Sequence, residues 1–248
     1  MNQERTYLDT NIIFHRKVRE ENIIAIIESA IGSTFKYCSA FVVSEHKRVF
    51  LQTMRLMWTF FKEKKDTEEV SKSIETHPWK SKQEKDRSKK IFNWITDYGK
   101  SAPLDAVRRL ENLIFSYETF FFEDIDVLES EVDCPLARMT INSRERITNV
   151  SLRCVKRCSM SSFLKSQKAK LLQIQRLIED INHLQLVVAI LKRVSNNPEE
   201  YDESICRTLA DVIIVLEAPE NFLVCSNNIR DFEPICKALE VRFLPIEY

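Results

Sequence analysis

The chain has 248 residues, 44% hydrophobic and 30% charged, with 37 basic residues balanced by 37 acidic ones. Such a composition builds a sizeable core, either one large domain or a small domain with a large insertion, and the zero net charge gives no global signal for a polyanionic partner. The only two glycines, Gly32 and Gly99, belong to no Gly-rich phosphate loop, which excludes a Walker-type or dinucleotide site.

Tyr7-Leu8 is apolar and β-prone and predicts a first strand closed by Asp9. Val18 to Ile31 reads as a helix stopped by Gly32-Ser33, and Phe35 to Cys38 as a short strand. Ser39 is an N-cap for a helix running through Val42, Val49, Met54 and Phe61, with Glu45 near its start. Residues 62–90 are polar and read as an exposed helix and loop broken at Pro78, with a short helix resuming over 91–98. Pro103 opens a helix whose stripe includes Leu104, Leu110, Ile114 and Phe121.

A second long helix is predicted over 161–194, where Leu171, Ile174, Ile178, Leu184, Val188, Leu191 and Val194 recur at helical spacing. That stripe suits a wall of a helical lobe better than a coiled-coil seam between two copies, although a homo-oligomer stays open. Pro198 ends it, and 199–218 forms the helix carrying Asp211. Strand 222–225, helix 231–239 and strand 241–244 close the chain. Helices alternating with short apolar strands imply an α/β fold with a mostly parallel sheet. Residues 63–197 read as a large all-helical insertion between segments 1–62 and 198–248.

Charge is segregated inside that insertion. Residues 111–133 carry eight acids and no Lys or Arg, whereas 135–176 carry Arg138, Arg144, Arg146, Arg153, Lys156, Arg157, Lys165, Lys168, Lys170 and Arg176 against one acid, Glu145. The basic stretch is a candidate nucleic-acid surface, and pairing between the two stretches is the alternative. The chain opens without a signal-peptide core, and no apolar run nears the ~20 residues that span a bilayer, so a cytoplasmic protein with reduced cysteines and no membrane contact is expected. Cys38, Cys206, Cys225 and Cys236 suit core positions; Cys134, Cys154 and Cys158, with His183 as a fourth ligand, are candidates for a structural Zn²⁺.

The acids Asp9, Glu45 and Asp211 fall where an open α/β sheet would collect them beyond the carboxyl ends of its strands. Their contexts, "YLDTNII" at 7–13, "CSAFVVSE" at 38–45 and "LADVIIVLEA" at 209–218, are followed by "FLVCSNNIRDF" at 222–232. This ordered set resembles the PIN-domain nucleases, and it covers only the two ends of the chain. The resemblance implies a PIN-like three-layer fold in which Asp9, Glu45 and Asp211 hold Mg²⁺ or Mn²⁺ for phosphodiester hydrolysis, RNA being favoured over DNA and a toxin-like or defence-type endoribonuclease being the expected kind. Ser226 stands for the family's threonine, and Asn228 for its fourth acid, which implies weaker metal affinity. Asn228 is expected to orient a water or a neighbouring group, and Asn11 and Ser226 to steady the site by hydrogen bonds. Lys47, Arg48 and Arg230 lie near these motifs and are candidates for phosphate contact, with surface ion pairing as the alternative. A catalytically silent PIN-like module that binds RNA or a protein partner or inhibitor through the insertion is the second reading. A phosphatase with Asp9 as nucleophile is disfavoured, because Asn11 occupies the place of the second aspartate such enzymes usually carry.

Overall fold

The computed structural model describes residues 4–79, 81–97, 100–152, 158–199 and 202–248. Five strands form one sheet, all parallel: β1 (Arg5–Leu8), β2 (Phe35–Ser39), β3 (Asp126–Leu128), β4 (Leu223–Ser226) and β5 (Phe243–Pro245), in the spatial order β3-β2-β1-β4-β5. In register, Tyr7 of β1 lies between Tyr37 of β2 and Val224 of β4. The central strands are buried throughout except for Arg5 and the start of β2, as expected where helices cover both faces of a parallel sheet. From β1 the chain steps one way to β2, and from β4 it steps the other way to β5. With right-handed crossovers these two connections lie on opposite faces, so β1 and β4 flank a topological switch point.

The helices near that point are short and specific. α1 (Thr10–His15) follows Asp9 directly, and α2 (Glu21–Ile31) returns the chain to β2. Ser39 caps α3 (Ala40–His46), its hydroxyl accepting from the Val42 amide at 3.4 Å, as its place before an apolar run predicts. A π-helical turn over Lys47–Leu51 continues α3 into α4 (Gln52–Glu63), so the predicted helix from Ser39 through Phe61 is continuous but locally wider.

Beyond it come α5 (Thr67–Thr76), α6 (Lys82–Thr96), α7 (Pro103–Phe115) and α8 (Tyr117–Phe122). α6 is longer than its apolar residues announce. Its first eight residues carry no hydrophobic side chain, and the Ser81 hydroxyl starts it by accepting from the Glu84 amide. The stretch between 63 and 197 is not wholly helical: it supplies β3, which pairs with β2 at the sheet edge. Three residues of half-exposed edge strand give too short a period-2 pattern to separate from a loop.

Further on are α9 (Arg144–Asn149), α10 (Met160–Ser166), α11 (Lys168–Ile178) and α12 (Gln185–Asn196). The single helix expected over 161–194 is therefore three. α11 and α12 pack on each other through a 3₁₀ turn at Asn182–Leu184, and Leu171, Ile174 and Ile178 are buried on one, Val188, Leu191 and Val194 on the other. A helical hairpin keeps the same three- and four-residue spacing on both arms, so its stripe mimics one long helix. Likewise 199–218 resolves into α13 (Glu203–Thr208) and α14 (Ala210–Glu217), parted at Leu209, before α15 (Ile229–Ala238) links β4 to β5.

One continuous core joins these parts. Phe14 of α1 stacks on Phe50 at 3.9 Å between centroids and meets Phe121 of α8 at 6.3 Å, so the sheet and the helices after residue 62 share a single apolar interior. Buried Arg16 ties α1 to α2 and to the approach to β3, donating to Glu28 at 2.7 Å and to Asp124 at 2.5 Å. Among the described residues, no helix is long and apolar enough to cross a membrane.

Candidate functional site

Asp9 follows the last residue of β1, and Ser226 ends the neighbouring β4. The Asp9 amide donates to the Cys225 carbonyl at 3.0 Å, extending the ladder by one step and fixing the carboxylate over the switch point. Ser226 Oγ donates to Asp9 Oδ2 at 2.8 Å and in turn accepts from the Asn228 amide at 3.0 Å. The hydroxyl that the sequence offers at 226 therefore holds the first acid, as expected.

Glu45 comes from α3 and is held by Thr10, whose hydroxyl donates to Glu45 Oε2 at 2.5 Å. The steadying role expected of Asn11 falls instead to its neighbour, because one residue along a helix turns the side chain by about 100°. Asn11 lines the same cleft without a side-chain hydrogen bond to the acids. Asp211, in the first turn of α14, accepts from Asn228 Nδ2 at 3.0 Å, and the same amide nitrogen donates to Asp231 Oδ2 at 3.0 Å. Asn228 thus bridges two carboxylates, a task no aspartate could perform at neutral pH.

The electrostatics follow from this crowding. Burial, and then the charge of Glu45, push the Asp9 carboxyl up to about 7, against the opposing hydrogen bond from Ser226. Asp211 is raised well above the carboxylate range by burial, then by Asp9, Glu45 and Asp231, with the Asn228 hydrogen bond opposing. The three acids named from sequence therefore do come together in one electrostatic unit, and Asp231 joins them. Among the described residues, no three His, Cys, Asp or Glu side chains converge in the geometry of a single-ion site. The donor chemistry nonetheless fits Mg²⁺ or Mn²⁺, which are held by one or two carboxylates and keep several waters.

These acids line a cleft of about 800 Å³ that also takes in cations, Arg48, Arg87, Lys90 and Arg207, with Glu84 and Asp86 of α6 among them. Arg48, from the π-helical turn, and Arg87 and Lys90, from α6, face into it beside His15. Burial, then the charges of Arg19, Lys90 and Arg87, push His15 down to about 3, so its imidazole is neutral. Arg87 and Lys90 lie in a polar run with no periodicity of its own, and His15 in an apolar segment. The sequence held no local signal for any of the three.

Other candidates lie elsewhere. Lys47 does not face the cleft: it is 1% exposed, its ammonium donating to Glu118, to the Ala137 carbonyl at 2.6 Å and to the Met139 carbonyl at 2.9 Å. The wide turn rotates neighbouring side chains to different sides, which gives Arg48 to the cleft and Lys47 to the core. Arg230 is exposed and does not line the cleft; its carbonyl meets His183 Nε2 at 3.1 Å.

No described residue of the basic stretch 135–176 lines the cleft either. Arg144 pairs with Glu111 and Arg138 with Asp133, so part of that stretch neutralises the acidic one before it. Cys154 lies outside the described residues; Cys134 and Cys158 are half-buried and form no disulfide among the described residues. His183, considered with them, instead lines the acidic cleft, 3.3 Å from Asp231 Oδ1.

No family model, curated protein or solved structure matches this chain.

Proposed function

We propose that the chain is a divalent-metal-dependent nuclease with a PIN-like core, acting on RNA in preference to DNA. One observation carries this reading: Asp9 just after β1, Glu45 of α3 and Asp211 of α14 gather at the switch point of a parallel sheet, where burial first, and then the charges of neighbouring acids, raise Asp9 and Asp211. Carboxylates serving structure alone are normally matched with cations, as Glu28 and Asp124 are with Arg16; these accept from hydroxyls and an amide and form no ion pair among the described residues, although Glu45 lies within electrostatic reach of Arg87. Asp9, Glu45 and Asp211 would hold Mg²⁺ or Mn²⁺, which when bound supplies Lewis-acid chemistry for phosphodiester hydrolysis. Ser226 and Thr10 keep two of the acids oriented, and Asn228 screens Asp211 from Asp231. The order of the motifs, and the analogy to toxin and defence ribonucleases it brings, agree with this reading.

Cleavage of labelled RNA and single-stranded DNA in Mn²⁺ tests it. Asp9→Asn and Asp211→Asn should each cut at least about 100-fold more slowly, the scale of losing one preorganised electrostatic group. Cleavage equal to that of the parent overturns the assignment. The absence of three convergent ligands among the described residues, and Asn228 in place of an acid, favour the second reading, a silent RNA- or protein-binding module. Calorimetric titration with Mn²⁺ separates them, since a silent module takes up no cation through Asp9 or Asp211.

A further inference from the structure

The buried and half-buried cations of this fold are handled in two ways. Arg16 is matched by Glu28 and Asp124, and Lys47 by Glu118 and two carbonyls. Arg48, Arg87 and Lys90 line the cleft without an ion pair to any described carboxylate, although Arg48 is only 7% exposed. Burial weakens the charged forms of Arg87 and Lys90, and the charges of Arg19 and Arg87 weaken that of Lys90 further; Glu84 and Glu45 for Arg87, and Asp86 for Lys90, offset this only in part. A partly desolvated group of like charges without direct ion pairs costs folding energy. A bound anion removes that cost.

The cluster is also positioned. Arg87 and Lys90 are three residues apart on α6 and share a face, and the Arg87 guanidinium lies 5.1 Å from the centroid of the Phe50 ring, which limits its swing. Neutral His15 sits among these cations without adding a charge. Nearby, Trp79 also lines the cleft, its indole nitrogen tied to the Ile74 carbonyl at 2.7 Å, which fixes the ring as a platform for a base. A cleft of about 800 Å³ admits a nucleotide-sized group.

We infer that Arg48, Arg87 and Lys90 form a receptor for the terminal phosphate of a single-stranded nucleic acid, opposite the carboxylates and with Trp79 positioned for the adjoining base. A phosphate monoester carries nearly two charges near neutral pH, against one for an internal diester, so it matches a group of three cations better. The inference deepens the nuclease reading, on which it rests for the polymer, but it requires no catalysis. Arg48, Arg87 and Lys90 are its binding residues, in direct contact with the phosphate.

Competition binding in EDTA isolates this claim from the metal. Unlabelled RNA oligonucleotides of one sequence, ending in a 5′-phosphate, a 3′-phosphate or hydroxyls only, would compete with a labelled strand for the full chain. One phosphorylated form should bind about tenfold or more tightly than the hydroxyl form, the worth of one or two charge-assisted hydrogen bonds, and its identity names the end that is read. Arg87→Gln and Lys90→Gln should each erase that preference and lower the slope of log affinity against log salt by about one. Lys90, half-buried at the rim, carries the test if circular dichroism shows that Arg87→Gln does not fold. Equal affinities for all three strands, or a preference unchanged in Lys90→Gln, overturn the inference. A protein that cuts RNA in Mn²⁺ without preferring phosphorylated ends keeps the nuclease reading and loses this one; a preference in a protein that never cuts does the reverse.

Discussion

On the sheet side of the cleft, Asp9, Glu45 and Asp211 each accept a hydrogen bond from a neighbouring side chain, whereas on the α6 side Arg48, Arg87 and Lys90 have no ion-pairing partner among the described residues. The acids are crowded but organised: Ser226, Thr10 and Asn228 fix where each oxygen stands. The cations reach in from a helix and a wide turn, held by packing and not by hydrogen bonds to acids among the described residues. Preorganised oxygens suit a small hard ion with strict geometry, and long cationic side chains spread over a wall suit a larger, diffuse anion. The two walls therefore differ in the size of the charge each could accept.

Their effects on stability have opposite signs. Asp9 titrates near its ordinary 3.8 in the unfolded chain and at about 7 in the fold. Between those values the native state holds a proton that the unfolded state has released, so the metal-free protein loses stability as pH rises, and the loss is complete above about 7. His15 moves from 6.5 unfolded to about 3 folded. Through that window the unfolded chain takes up a proton that the native state refuses, so stability falls as pH falls.

The largest expected effect is on this balance. Removing the ionisable carboxyl at position 9 removes its cost of ionising inside the fold, so Asp9→Asn should be more stable than the parent at pH 8 by an amount on the order of a few kcal/mol, and the advantage should vanish near pH 4. His15→Asn should flatten the acidic side of the profile and leave the alkaline side alone. Urea midpoints from pH 4 to pH 8, taken in EDTA, decide this; an Asp9→Asn profile parallel to the parent's would show that burial and crowding do not raise the Asp9 carboxyl in the fold.

A smaller effect separates the cleft's cations from a neighbour that sequence had grouped with them. Lys47→Met leaves the Ala137 and Met139 carbonyls without their donor, while half-exposed Glu118 regains water. A loss of about 2–3 kcal/mol is expected in chemical denaturation, with affinity for RNA unchanged. Weakened RNA binding in a fully folded Lys47→Met protein would move the basic wall to the other side of α3.

The acidic wall was legible because each acid sits beside a strong local marker: a strand end for Asp9, a serine cap for Glu45, an apolar helix for Asp211. Strand ends, and the first turns of helices near them, gather at the switch point whatever the intervening chain does, so residues as far apart in sequence as Asp9 and Asp211 could be paired on pattern alone. The basic wall was hidden for the converse reason. Arg87 and Lys90 differ from the charged residues around them only in which way α6 is rotated, and that rotation is set by Ile91 and Ile95 packing into the core. Composition drew the eye to 135–176 instead, where charge density is high but the described side chains lie outside the cleft. The turns at Gln167, Asn182 and Leu209 were missed because apolar spacing continues across each of them, and β3 because three edge residues carry too little pattern.

The finest distinction is between charge density and charge placement. Lys168 and Lys170 belong to the densest basic stretch, yet both are exposed on α11 and neither lines the cleft. Placement governs if Lys168→Ala with Lys170→Ala changes affinity for a short phosphorylated RNA by less than about twofold, the size of an ordinary surface substitution, while Lys90→Gln weakens it several times more. Density governs if the double alanine protein is the weaker binder and shows the larger drop in salt dependence. In that case the strand lies along α11, and the cations beside His15 need another ligand.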